Sequence, residues 1–182
     1  MINAVLDACV LYPALLRDYL LWLTYYEVFH PYWSEEIRNK WTRSLLRKRP
    51  ELEEKLARTR RKMEVYFPYS LVQGYETLIP SLQLPDMNDR HVLATAIHAN
   101  AKYIVTFDLN DFPQLALQPY GIVAISPDDF VLRFVRESPI HIFQATKRHR
   151  TEIFRPLMTV SEYHAMLENQ GILQTVAFLR NY

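Results

Sequence analysis

Ile2-Asn3-Ala4-Val5-Leu6-Asp7 is a short apolar run that stops at a carboxylate. A run this short, with no polar alternation, predicts a strand buried on both faces, as in a parallel sheet covered by helices. A second run of the same kind, Tyr103-Ile104-Val105-Thr106-Phe107, also stops at an acid, Asp108. A further strand is expected from Gly121 to Ile125.

Helical patterns fill the space between these strands. Leu15, Leu16, Tyr19, Leu20, Leu23 and Tyr26 recur at three- and four-residue steps and predict a helix from Ala14 to Phe29, ended by His30-Pro31. Ser34 suits the N-cap of a second helix reaching Arg49, with Ile37, Trp41, Leu45 and Leu46 as its buried stripe. After Pro50 a third helix is expected from Glu51 to Tyr66, with acids in its first turn and bases in its last. Pro68, Gly74, Pro80 and Pro85 break up the next stretch, which reads as loop with a turn of helix. A helix from Asp89 to Asn100 and another from Pro127 to Glu137 complete the pattern. The order predicts an α/β sandwich with a mainly parallel central sheet over residues 1–137. Residues 138–182 carry only helical patterns, Ile140 to Ile153 and Val160 to Asn169. Thr159-Val160-Ser161-Glu162 resembles a capping box and Gly171 suits a helix stop. This part reads as a C-terminal helical extension rather than a separately stable domain.

Composition narrows the function. Hydrophobic residues make up 49% of the 182 and charged residues 23%, so the chain can bury a core. With only 3 glycines and no phosphate-loop pattern, nucleotide-cofactor and P-loop chemistry are disfavoured. The single cysteine, Cys9, permits no internal disulfide and fits a reducing cytoplasm. The first residues lack the basic region of a signal peptide, and no apolar stretch is long enough for a membrane helix. Net charge is +1, but 11 Lys/Arg crowd residues 38–62 against three acids, and Lys147-Arg148-His149-Arg150 forms a second cluster. Solvated helix faces and a phosphate-tracking surface are both open readings. The tryptophans and most tyrosines read as core.

Four acids stand out. Ligands of an open parallel sheet bind beyond the carboxyl ends of its strands, where Asp7 and Asp108 are expected. Glu36 falls in the first turn of its helix and Asp89 at the start of another. Each alone has an ordinary reading as a turn former, first-turn acid or N-cap. Gathered together they form a hard-oxygen site, which suits Mg²⁺ or Mn²⁺ and, through those ions, phosphodiester cleavage.

Four segments resemble a known family: Val5 to Pro13, Trp33 to Ile37, Leu84 to Ala94, and Ile104 to Pro113. They are similar to PIN domains, and Asp89-Arg90-His91-Val92-Leu93-Ala94 and Thr106-Phe107-Asp108-Leu109-Asn110-Asp111-Phe112-Pro113 resemble the bacterial branch related to VapC toxins. The resemblance implies a PIN-like three-layer α/β/α sandwich and a metal-dependent endoribonuclease. It also implies the toxin of a toxin–antitoxin pair, with an antitoxin protein as partner, and a homodimer. By position, Asp7, Glu36, Asp89 and Asp108 take the metal-binding acids; Asp86 and Asp111 stand as supporting or alternate acids, and Thr106 sits beside the metal. The family usually carries Ser, Thr or Asn where this chain has Cys9, a weaker hydrogen-bonding group, which implies a weakened site. Arg38, Arg43, Arg47 and Arg90 are candidates for RNA contact, Arg90 alternatively for pairing with Asp86. His91 reads as a packing residue rather than a base.

Two other functions compete. One is a PIN-fold module that binds RNA or protein without turnover. The other is a hydrolase of small phosphate esters, against which stands the absence of an Asp-x-Asp pair in Asp7-Ala8-Cys9.

Overall fold

The computed structural model describes residues 1–154 and 156–181. In chain order the elements are β1 (Ile2–Leu6), α1 (Ala8–Leu11), α2 (Ala14–Tyr25), β2 (Phe29–Ser34), α3 (Glu35–Lys48), α4 (Glu53–Tyr66), β3 (Leu71–Val72), α5 (Arg90–His98), β4 (Tyr103–Val105), α6 (Gln114–Leu117), β5 (Val123–Ile125), α7 (Pro127–Glu137), α8 (Pro139–Ile153), α9 (Val160–Glu168) and α10 (Leu173–Arg180). The five strands pair in the order β3-β2-β1-β4-β5, all parallel. Helices cover the sheet, so Ala4, Val5 and Leu6 of the central strand are fully buried. Helix α5 packs on β1, β2 and β4. Phe130 of α7 meets Phe29 of β2 and Tyr103 of β4 edge-on, with ring centroids 4.9 and 5.7 Å apart. The architecture is the expected α/β/α sandwich with C-terminal helices.

The chain leaves β1 toward β2 on one side, while β4 lies on the other. The carboxyl ends of β1 and β4 therefore flank the point where strand order reverses, which is where open parallel sheets bind ligands.

Two strands depart from expectation. The stretch Phe29–Ser34 is a strand, and α2 stops at Tyr25 rather than Phe29. Glu27 takes φ 58°, a left-handed conformation that turns the chain out of the helix. Pro31 made the stretch read as a break. It is tolerated because β3 pairs only with Trp33 and Ser34, leaving the outer side of β2 open at Pro31. Strand β3 is two residues long and carries no pattern of its own. The expected helix starting at Asp89 begins instead with a 3-10 turn, Met87–Asp89, capped by Asp86, whose carboxylate accepts from Asn88 N at 2.8 Å.

The extension follows its local signals until its last helix. The Thr159–Glu162 capping box opens α9, and Gly171 turns with φ 84° after it. Helix α10 was not expected, because its N-cap comes from far along the chain. Asp128 accepts from Leu173 N, Gln174 N and Thr175 N at 3.0, 2.7 and 2.9 Å. Helix α8 lies along α2, where the Tyr19 and Thr146 hydroxyls meet at 3.3 Å.

Candidate metal centre and adjoining groove

Asp7 emerges from β1 with its backbone still in the ladder, donating from N to Val105 O at 3.1 Å. Its side chain is almost wholly buried, at 4% exposure. Oδ1 accepts from Ala8 N at 2.6 Å, which caps α1, and Oδ2 accepts from the Thr106 hydroxyl at 2.8 Å and the Cys9 thiol at 3.4 Å. Burial raises the Asp7 pKa against the opposing pull of Thr106, Ala8, Cys9 and Lys40. A carboxylate placed so has a fixed direction and an incompletely compensated charge.

Thr106 joins the two strand-end acids, since its hydroxyl also accepts from Asp108 N at 3.1 Å. Asp108 is exposed at the mouth, and the turn that carries it is closed by Asp111 N donating to Asp108 O at 3.0 Å. Ligand atoms of Asp7, Cys9 and Asp108 all lie within 4.8 Å of one another. The Cys9 thiol also lies 3.3 Å from the Thr106 hydroxyl and accepts from Phe107 N at 3.4 Å. Burial and the Asp7 charge push its pKa up to about 12, so it stays a thiol and offers no soft thiolate. The remaining donors are hard oxygens, which fit Mg²⁺ or Mn²⁺.

The other two predicted ligands stand apart from that group. Asp89, 6% exposed, does not cap α5 with its side chain; Oδ1 accepts from Lys40 Nζ at 2.5 Å. Lys40 comes from α3, half-exposed, and its charge also acts on Asp7 and Asp86. Glu36 is exposed one helical turn before Lys40. Among the described residues the structure thus brings Asp7 and Asp108 together, ties Asp89 to Lys40, and leaves Glu36 on the wall of a neighbouring groove.

That groove has a volume of about 630 Å³. Glu36, Asn39, Lys40, Arg43, Ser44 and Arg47 of α3 line one side; Ile79, Met87, Asn88 and His91 line the other. Arg43 and Arg47 are exposed there, as a phosphate-contacting role requires. Two of the other expected RNA contacts point elsewhere. Arg38 is buried and pairs with Glu35 and Glu64 at 2.9 and 2.7 Å, joining α3 to α4. Arg90 neither pairs with Asp86 nor faces the groove wall; its Nε donates to Met87 O at 3.0 Å. His91 is buried, with its pKa lowered to about 4 by burial, and so is neutral at physiological pH. The second basic cluster is dispersed: Arg148 pairs with Glu152 at 2.9 Å, His149 is fully buried, and Arg150 donates to Met158 O. Sequence reasoning missed Lys40 as a site residue, counting it only among many bases. Its position four residues after Glu36 was the available signal.

No helix among the described residues is long and apolar enough to cross a membrane. No solved structure is significantly similar to the chain. A Mycobacterium tuberculosis protein named "Putative ribonuclease VapC50" is 49% identical over 59 residues, 32% of this chain and 34% of the relative. The match therefore spans about a third of that relative's length. Residues 127–181, from the start of α7 through α10, match the VapC50 C-terminal domain. Residues 3–110, more than half of the chain and every one of the four acids, match the PIN domain, and the protein belongs to the PIN domain family.

Proposed function

We propose that the protein is an endoribonuclease that depends on Mg²⁺ or Mn²⁺ and acts as the toxin of a toxin–antitoxin pair. The observation that carries this reading is the pairing of Asp7 and Asp108, oriented by one threonine hydroxyl at the switch point of a PIN-family sheet. The relative named as a ribonuclease adds support. Asp7 and Asp108 would hold the ion, with Glu36 and Asp89 completing the acidic surround. Bound there, the ion would supply Lewis-acid stabilisation of phosphate charge and lower the pKa of a water. Thr106 fixes the rotamer of Asp7, and its contact with Asp108 N fixes the turn. Arg43 and Arg47, exposed on the groove, would hold flanking phosphates. An antitoxin protein, a homodimer and a cytoplasmic setting belong to the same proposal.

A second reading, a module that binds RNA or protein without cleaving, is favoured by one observation. The Cys9 thiol grips Asp7 at 3.4 Å, a weaker hold than a hydroxyl would give. Incubating the protein with a mixed-sequence RNA and Mn²⁺, with and without EDTA, separates the two. The nuclease reading expects internal cleavage that EDTA abolishes. Binding without cleavage at any Mg²⁺ or Mn²⁺ concentration would establish the module instead.

A further inference from the structure

A buried carboxylate needs a cationic partner or a full set of donors. Among the described residues neither Asp7 nor Asp108 has a paired side-chain cation at contact distance, whereas Asp89 has one: the Lys40 ammonium, 2.5 Å from Oδ1. Lys40 reaches this point from the groove wall, one turn beyond Glu36, and its charge extends to Asp7. A dication ligated by Asp89 would have to sit beside that ammonium, and like charges at such range repel strongly in a partly desolvated site. A lysine ammonium can stabilise charge on a phosphate oxygen as a compact point charge.

We propose that Lys40 takes the place of a second dication, so that this chain binds one divalent ion, at Asp7 and Asp108, with Lys40 as the resident positive charge at Asp89. The assignment rests on the metal-dependent reading above and refines it. The site then offers one exchangeable and one covalently attached cation. A second ion is not needed to balance the acids, because the ammonium already neutralises one carboxylate.

Titration of the purified full chain with Mn²⁺, read by calorimetry and by the electron paramagnetic resonance of the free ion, tests this without relying on activity. The wild type is expected to bind one Mn²⁺ per chain. Lys40→Met, a change at a half-exposed position, is expected to bind two. Lys40→Arg, which retains the charge, is expected to return to one. In EDTA, Lys40→Met should melt lower than wild type, because Asp89 is left unpaired, and Mn²⁺ should restore the loss. Two ions in the wild type, or one ion in both wild type and Lys40→Met, would overturn the assignment while leaving a metal-dependent nuclease standing. No ion in any variant would overturn the metal-dependent reading and this assignment with it.

Discussion

Asp7 and His149 are both polar, both buried and both hydrogen-bonded to a hydroxyl, yet they sit in opposite kinds of surroundings. His149 is wholly enclosed between α2, α8 and α9. Its Nδ1 meets the Tyr163 hydroxyl at 2.6 Å, and the rings of Tyr19, Tyr163 and Phe154 lie 5.7, 5.6 and 6.1 Å from it. Burial pushes its pKa down to about 4, that of Tyr163 upward, and that of Tyr19 up to about 12, so the whole cluster is neutral. Asp7 has Asp108 at its mouth and Lys40 within reach, and its neutral form is favoured only by burial. A closed cluster in which every member is content to be uncharged serves packing. A cluster that concentrates one sign of charge at an opening stores an electrostatic cost that a ligand can relieve.

The largest test removes charge from the open cluster. Asp7→Asn and Asp108→Asn should each lower kcat/KM for RNA by about 10³-fold, since charge stabilisation by a metal is worth several kcal/mol. Asp7→Asn should not destabilise the metal-free protein. The folded pKa of Asp7 lies above its unfolded value, so the folded state holds the proton more tightly, and stability falls as pH rises through that window. At neutral pH the asparagine escapes that cost. Urea unfolding in EDTA checks it. A large loss of stability would put Asp7 in the same class as His149 and break the contrast.

Acid should act on the closed cluster. The folded pKa of His149 is depressed to about 4 from an ordinary 6.5, so the unfolded state binds the proton first. Stability is complete above about pH 6.5 and is lost as pH falls through about 4, by up to ~3 kcal/mol. His91 adds a contribution in the same direction. His149→Phe should flatten part of this loss, measured as the pH dependence of urea midpoints, with cleavage kinetics unchanged. An unaltered pH profile would mean that His149 is not sealed as described.

The smallest effect belongs to the groove. Arg43→Gln with Arg47→Gln should raise KM for RNA about tenfold and leave kcat within about twofold. The slope of log affinity against log salt should shrink by about 1.4, the contribution of two phosphate contacts to a single strand. Arg38→Gln is the sharper control, because Arg38 is committed to Glu35 and Glu64. It should lower stability and leave the salt slope intact.

The regions differ in how far they could be read. β1, β4 and the Thr159–Glu162 box carry their signals within a few residues and match the structure, and of the α3 stripe Ile37 and Trp41 are buried while Leu45 and Leu46 are half-buried. β2 was hidden because Pro31 is a breaker by local rules and is harmless only where β3 runs out. α10 was hidden because its cap is Asp128. Of the acids, Asp7 and Asp108 were legible as strand-end residues. The tie between Asp89 and Lys40 was not, because it joins residues 49 apart.

The amino-acid order alone determined the α/β class, the parallel sheet and the acids at its strand ends, because burial on both faces and helix periodicity are properties of neighbouring residues. Only the tertiary structure decided which acids share a pocket, which bases face it and which cation already occupies it. Those outcomes depend on the packing of α3 against α5 and on the pairing of β1 with β4, and an electrostatic partner is chosen by distance in space rather than along the chain.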